Sequence, residues 1–226
     1  MITEADIIAL GVTFKLAFVT TLLLFVFGMP LAWWLARSNC RFKFFVEALV
    51  AVPLVLPPTV LGFYLLLALG PSGPIGSAMN ALNLGSIAFS FTGLVIGSMI
   101  FSLPFVVQPM TSAFTNISKR QLEAAATLGA TPFDQIKSIA LPQAQNGLIT
   151  AAVLGFAHTV GEFGVVLMIG GNIPGETQVL SITIYEHVES LQYAQAHWLS
   201  AGLLMLSFLL LVGVYAVNRK FRMRVV

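Results

Sequence analysis

Hydrophobic residues run along this chain in long stretches that are separated by short polar segments. Residues 48–118 contain no Asp, Glu, Lys or Arg. That run is long enough for two membrane spans of about 20 residues each, once the glycine- and proline-rich segment at 70–77 divides it. Together with three further apolar stretches, the pattern predicts an all-α membrane protein with five transmembrane helices, near residues 13–36, 47–69, 87–114, 144–169 and 197–217.

Composition agrees with a membrane protein. Of the 226 residues, 58% are hydrophobic and only 9% are charged, and the mean hydropathy is +0.92. These values are far from those of soluble proteins. The acidic start MITEAD and the length of the first apolar stretch argue against a cleaved signal peptide. We therefore expect residues 1–226 to form a single transmembrane domain.

The basic residues concentrate in alternate loops. Ten of the eleven Lys and Arg residues lie in the first loop, the segment after the third span or the C-terminal tail: Arg37, Arg41, Lys43, Lys119, Arg120, Lys137, Arg219, Lys220, Arg222 and Arg224. The positive-inside rule makes this face cytoplasmic. Five spans then put the N-terminus outside and the C-terminus in the cytoplasm. The net charge of +2 therefore reflects topology, and no basic groove with interleaved aromatic residues indicates nucleic-acid binding.

The polar segment KRQLEAAATLGATPFDQIKSIALP, residues 119–142, predicts a helical hairpin on the cytoplasmic face. Ser118 and Gln121 have the spacing of a capping box, and Gly129 is suited to a left-handed turn at the helix end. A second helix would be capped by Thr131 and stopped by Pro142. From helical pattern alone, an ordinary amphipathic connector is the alternative to a functional hairpin.

The spacing within this hairpin resembles the loop by which the permeases of bacterial ABC importers grip their ATPase. Seven positions carry the match: Glu123, Ala124, Ala125, Gly129, Ile139, Leu141 and Pro142. At residue frequencies of roughly 5 to 10%, seven specified positions coincide by chance on the order of once in 10^8 starting points. The resemblance implies that these residues couple the chain to an ATPase.

Two further segments resemble the permeases of molybdate ABC importers. They are PLVLPPTVLGFYLLL at 53–67 and GEFGVVLMIGGNIPGETQVLSITIY at 161–185. The resemblance implies a permease homodimer in the bacterial inner membrane, with two copies of a cytoplasmic ATPase subunit. It also implies a periplasmic binding protein that delivers molybdate, and tungstate could share the route. Sulfate or another oxyanion is the alternative cargo.

The chain itself carries no motif for catalysis. It has no GxxxxGK[ST] loop for ATP phosphates and no supported Ser/His/Asp or Cys/His arrangement. The single cysteine, Cys40, excludes a disulfide framework, and the three histidines are too scattered to predict a metal site. We therefore predict no enzyme activity and no cofactor, and ATP hydrolysis would belong to the partner subunit.

Prolines interrupt the second predicted span, at Pro53, Pro57 and Pro58. Lipid cannot replace the backbone hydrogen bonds that prolines remove, so this stretch must face protein or a water-lined cavity. If a helix restarts near Thr59, its free amides and the Thr59 hydroxyl could meet a passing oxyanion. A simple kink for packing is an equally weighted alternative.

Glu162 is the one acidic residue predicted within a span, where such a residue is treated as functional or paired. His158 precedes it by four residues, which predicts a Glu162–His158 pair on one helix face with a structural or gating role. The resemblance suggests that many relatives carry arginine where this chain has His158. Gly161 and Asn172 complete the candidate gate or pathway residues.

The loop at 170–196 contains a helical candidate at 178–193, which we predict to be an interfacial or re-entrant helix; a surface loop is the alternative. Two other function classes stay open. An ion-coupled carrier would need inverted repeats and more intramembrane ionisable residues than this chain offers. A non-transporting membrane scaffold would leave the hairpin unexplained.

Overall fold

The computed structural model describes residues 3–82 and 85–222, with side chains described through residue 216. Arg224, one of the predicted tail cations, lies outside the described residues. The regular elements within these ranges are helical: α1 (Glu4–Arg37), α2 (Lys43–Val55), α3 (Pro58–Leu69), α4 (Pro74–Ala81), α5 (Phe91–Thr115), α6 (Lys119–Thr127), α7 (Pro132–Gln135), a π-helical turn (Ile136–Ala140), α8 (Leu141–Val160), α9 (Gly164–Gly170), α10 (Leu180–Glu189) and α11 (Tyr193–Arg222).

Four helical stretches are long and apolar enough to cross a membrane, and a bent pair supplies a fifth. The four are Glu4–Arg37, Pro58–Ala81, Phe91–Thr115 and Tyr193–Ala216. The bent pair joins Pro132–Val160 to Gly164–Gly170 at an angle of 59°. The all-α fold with four to five candidate spans is therefore confirmed, but the first helix begins at Glu4 and the fourth span is broken. The second candidate span is Pro58–Ala81, where residues 47–69 were predicted, so it includes the 70–77 segment.

The second predicted span is also divided, at the prolines. α2 ends at Val55, and α3 begins at Pro58 after Pro57, which has an extended backbone. Pro58 occupies the first turn of α3, where backbone N–H groups have no acceptor within the helix. Its missing N–H therefore costs no helical hydrogen bond. The predicted restart near Thr59 is thus confirmed.

α5 is the central helix, and α1 and α8 pack along it. One core cluster lies toward the end of α5 that leads into the hairpin, and it includes Leu24, Leu35, Val106, Met110, Phe114 and Ala151. A second cluster lies toward the other end and includes Leu16, Leu94, Val166 and Ile182. Since lipid tails are as apolar as these side chains, close packing is what stabilises their association in a membrane.

Small residues permit that close packing. A Cβ atom on Gly155 of α8 would lie 2.4 Å from Cγ2 of Val106. On α5 itself, a Cβ atom on Gly97 would lie 2.7 Å from Cδ1 of Ile169 in α9. The missing side chains therefore let α8 and α9 approach the central helix.

Arg37 joins the end of α1 to the end of α5. Its Nη2 atom donates to the carbonyl oxygens of Phe114 at 2.9 Å and of Ile117 at 3.0 Å. The last carbonyls of a helix have no partner within the helix, and a cation there also meets the negative end of the helix dipole. The charge pattern marked Arg37 only as a topological signal, but its hydrogen bonds also hold the end of α1 against the end of α5.

The predicted helix in the 170–196 loop is present as α10, and it is tied to α1. The side chain of His187 lies 2.8 Å from Oδ1 of Asp6. The N–H of Leu180 donates to Oγ1 of Thr13 at 2.8 Å. Because both contacts reach the first helix, α10 is a packed element of the fold and not a free surface loop.

Candidate functional site

The hairpin at 119–142 begins with α6, which ends where Gly129 was expected to end it. Gly129 has a φ of +89°, and its N–H donates to Ala126 O at 3.0 Å. The N–H of Ala130 reaches back to Ala125 O at 3.0 Å. These two bonds form a Schellman motif, in which a glycine takes the left-handed position because it has no Cβ.

The predicted capping box at the start of α6 is wrong. Ser118 is the N-cap residue with an extended backbone, but its side chain accepts no capping hydrogen bond. The N–H of Gln121 donates instead to the carbonyl oxygen of Ser118 at 3.2 Å. The Gln121 N–H, which the serine hydroxyl would have bound in a capping box, is therefore satisfied within the tight first turn.

The second part of the hairpin starts as predicted and then continues further than predicted. Thr131 and Asp134 form a reciprocal capping box, with backbone-to-side-chain distances of 3.1 and 3.2 Å. Pro142 does not stop the helix, because it lies in the first turn of α8 directly after the π-helical turn. In that turn the N–H of Leu141 reaches the carbonyl of Ile136, and the wider coil accommodates a proline ring that a regular α-helix would exclude.

The hairpin presents polar and small residues to the solvent, together with two large apolar side chains beside the turn. α6 has no buried residue, and Leu128 and Phe133 beside the turn are 89% and 70% exposed. Of the seven residues carrying the coupling motif, four are exposed: Glu123, Ala124, Gly129 and Pro142. The other three are half-buried: Ala125, Ile139 and Leu141. Leu122 and Leu141 pack against the core, so the exposed surface stands on an anchored base.

The proline break and the GEFG segment are brought together, although about a hundred residues separate them in the chain. A Cβ atom on Gly164 would lie 2.7 Å from Cβ of Pro58 and 3.3 Å from the backbone N of Thr59. Pro57, Pro58 and Thr59 are exposed. The start of α3 and the start of α9 thus form one junction with an accessible surface.

The predicted Glu162–His158 pair is wrong. Oε1 of Glu162 accepts from the N–H of Val165 at 2.7 Å, and Oε2 accepts from the N–H of Val166 at 3.0 Å. Glu162 is 4% exposed. α8 ends at Val160, so the continuous helix that the four-residue spacing assumed does not exist. Glu162 caps α9 instead, where its charge also meets the positive end of the helix.

His158 belongs to a different cluster, between α5 and α8. Its Nδ1 atom lies 3.0 Å from Oγ of Ser102, which lies 3.0 Å from Oγ1 of Thr159. The ring stacks on Phe105 with centroids 3.8 Å apart. Sequence analysis missed Ser102; its one signal was a serine pair, Ser98 and Ser102, at helical spacing in an apolar span.

Gly161 and Asn172 occupy turns at the two ends of the broken region. Gly161 follows α8, and its N–H donates to Ala157 O at 3.1 Å. Asn172 has a φ of +56°, and its side-chain amide donates to the carboxylate of Glu186 on α10. Asn172 therefore fastens its turn to α10.

Comparison with known proteins places this architecture in one family. The family described as Binding-protein-dependent transport system inner membrane component matches residues 28–225. The Molybdenum transport system permease protein ModB of Azotobacter vinelandii is 55% identical over 221 residues, covering 98% of this chain and 97% of that protein. ModB of Haemophilus influenzae is 34% identical, with coverages of 82% and 81%. The sulfate transport system permease protein CysT of Salmonella typhimurium is 30% identical, with coverages of 100% and 82%.

Solved transporters share the fold. A bacterial alginate ABC transporter, crystallised in complex with an alginate pentasaccharide-bound periplasmic protein, contains a chain that matches with a TM-score of 0.73 at 20% identity. The match covers 97% of this chain and 79% of that one. The MetNI methionine ABC transporter in inward-facing conformations matches with a TM-score of 0.69 at 19% identity, covering 94% of each chain.

The Glu162 cap predicts a graded response to substitution. Glu162→Ala removes both acceptors and leaves buried N–H groups of α9 unsatisfied, which costs about 1 to 3 kcal/mol per group. Glu162→Gln keeps one acceptor oxygen and should lose less. We expect thermal unfolding of the detergent-solubilised protein to rank wild type above Gln, and Gln above Ala. An Ala variant as stable as wild type would contradict the capping role.

Proposed function

This chain belongs to the family of binding-protein-dependent transport system inner membrane components, and we propose that it is the permease subunit of an ATP-driven molybdate importer. The carrying observation is the 55% identity, over nearly the full length of both chains, to a molybdenum transport permease. The matches to sulfate permeases are more distant, at 30 to 32% identity. The chain is a multi-pass membrane permease, and the resemblance inferred from its motifs is confirmed.

Two copies of this chain would enclose the pathway, because five spans are too few to enclose one easily. The exposed surface of Pro57, Pro58 and Thr59 supports this arrangement, since a polar backbone break in a membrane needs a partner or water. The junction of these residues with the GEFG segment would then lie near the shared interface.

The hairpin at 119–142 would dock on a cytoplasmic ATPase, one for each copy. Its support is the exposed surface around Gly129, where small alanines permit close backbone approach and Leu128 and Phe133 offer apolar contacts. Glu123 can accept from a donor on the partner. A periplasmic binding protein would deliver the anion at the opposite mouth, near the 170–196 loop.

The helix that follows the hairpin can carry motion into the membrane. Helical structure continues from Pro132 through the π-helical turn to Val160, and just beyond it lie Glu162 and α9. An ATP-bound ATPase would draw the paired hairpins together, and a nucleotide-free ATPase would release them. That movement would then reach the junction with α3 and open the pathway to either side in turn.

Weak neutral donors suit the release of a dianion. At the start of α3 the N–H groups of Val60 and Leu61 both donate to the carbonyl of Pro57, which leaves Thr59, with its N–H and its hydroxyl, as the neutral donor. Lys15, in the half of the first helix away from the hairpin, lies 4.4 Å from the ring centroid of Phe91. Selective capture would therefore rest with the binding protein, and the permease would offer passage without a deep cationic trap.

The coupling role predicts a side-specific effect of two matched glycine variants. Gly129→Asp adds a charge and a Cβ at the turn facing the ATPase, where the structure leaves open space and φ is +89°. Gly175→Asp adds the same group at a φ of +78°, also in open space, on the opposite side. Left-handed backbone costs a non-glycine residue about 1 to 2 kcal/mol, and Asp tolerates it better than most.

We expect both variants to insert, and only Gly129→Asp to lose co-purification with the ATPase. Retention of the ATPase by Gly129→Asp at wild-type expression would remove the coupling assignment. Equal loss by both variants would mean that general strain, and not the docking surface, is responsible.

The proposed orientation predicts how the single cysteine reacts. Cys40 is exposed in the loop between α1 and α2, which the charge pattern puts in the cytoplasm together with the hairpin. A membrane-impermeant maleimide should label Cys40 only after spheroplasts are permeabilised. Labelling of intact spheroplasts would reverse the orientation of the whole chain.

The proposed cargo is tested by uptake into vesicles that contain the permease, its ATPase and its binding protein. We expect ATP-dependent uptake of molybdate, uptake of tungstate as well, and strong discrimination against sulfate. Equal entry of sulfate would shift the assignment to the alternative cargo. Molybdate entry without ATP would contradict an importer driven by an ATPase and would favour an ion-coupled carrier.

A further inference from the structure

We propose that the cleft between α2 and α5 is the inner vestibule of the pathway, where Gln108 and Ser112 bind the tetrahedral oxyanion before it leaves. This inference rests on the proposed function as an oxyanion importer. It adds the surface and the side chains that would serve the last stage of transport, which neither the coupling motif nor the proline break supplies.

Two neighbouring cavities share these two side chains. The larger has a volume of about 510 Å³ and lies between α2 and α5, where Glu47, Val50, Thr111 and Asn116 also line it. The smaller has a volume of about 330 Å³ and extends toward α8, and its lining includes Phe105 of α5 and Leu154 of α8. Gln108 and Ser112 lie in the last turns of α5, so both cavities are on the hairpin side of the membrane.

Gln108 and Ser112 have no partner of their own. They are four residues apart, hence on one face of α5, and both are exposed. Among the described residues no hydrogen bond reaches either side chain, whereas the hydroxyls of Thr111 and Thr115 donate to carbonyls of their own helix at 2.8 Å. An unpartnered amide in hydrocarbon costs several kcal/mol, so this face of α5 must meet water or a polar cargo.

The chemistry of the cleft suits a dianion that has to be released. A side-chain amide offers two N–H donors and a hydroxyl offers one, without any formal charge. Glu47 at the rim lies 3.6 Å from Lys43 on the same helix, which offsets its charge. The cleft therefore supplies neutral donors, and the described residues that line it include no lysine or arginine.

An aromatic ring separates this vestibule from the next polar group along α5. Phe105 lines the smaller cavity, and its ring also stacks on His158 beside Ser102. Ser102, Phe105 and Ser112 recur at helical spacing. α5 thus presents a polar cluster, an apolar ring and a second polar site in sequence, as expected for a stepwise route through a membrane with an apolar constriction.

The test uses the assembled transporter, comprising permease, ATPase and binding protein, in vesicles. Gln108→Leu and Ser112→Ala each remove donors, and we expect each to lower ATP-dependent molybdate uptake on the order of fivefold. Gln108→Glu should lower uptake further through repulsion, whereas Gln108→Asn should retain much of it. Thr92→Val, which removes an exposed hydroxyl at the other end of α5, is the matched control and should leave uptake unchanged.

Water access is measured separately, so that misfolding cannot imitate the result. In a Cys40→Ser background, the Ser112→Cys side chain should react with a small water-soluble thiol reagent in the assembled transporter, and saturating molybdate should slow that reaction. No reaction would show a covered interface and overturn the vestibule.

The two proposals fail differently. If the wild-type complex takes up no molybdate, the cargo assignment fails. If it takes up molybdate and the Gln108 and Ser112 variants transport normally, only the vestibule is wrong.

Discussion

The break between α8 and α9 is the constraint on which the rest of the structure depends. A helix that stops within a membrane leaves N–H and carbonyl groups that lipid cannot satisfy. Glu162 meets this need because both of its carboxylate oxygens accept backbone N–H groups of α9. Ser181 of α10 donates to the carbonyl of Glu162 at 2.6 Å, and Pro58 of α3 lies against Gly164. Three elements are thus held by one short irregular segment.

Local features of the fold could be predicted from the sequence, since they depend on near neighbours. Apolar length predicted the spans, Gly129 predicted the end of α6, and Thr131 predicted the following cap. The errors arose where a second local option was available. The Gln121 N–H used the carbonyl of Ser118 instead of its hydroxyl, and a π-helical turn carried the chain past Pro142. Spacing rules cannot distinguish such alternatives.

Contacts between distant segments could not be predicted in the same way. The Glu162–His158 pair assumed one continuous helix, but the partner of His158 is Ser102, 56 residues away. Arg37 likewise donates to carbonyls 77 and 80 residues further on. A carbonyl partner leaves no side-chain signature in the sequence, so the charge pattern located Arg37 correctly at a helix end without indicating what it binds. The roles of the coupling and pathway residues stay predictions, because the sequence likewise does not indicate what these residues bind.

The distribution of packing indicates where this molecule can change shape. The cap on α9 has to persist during any movement, because opening it would leave buried N–H groups unpaired. α9 is also pressed against α3, where a Cβ atom on Gly62 would lie 2.8 Å from Cβ of Met168. The end of α8, α9 and the start of α3 therefore move best as one unit. α2 and α5 enclose open volume beside their contact at Val50, which is buried in the core cluster. Motion delivered through α8 would consequently be absorbed at this cleft, on the hairpin side, where open volume lies beside the packed side chains.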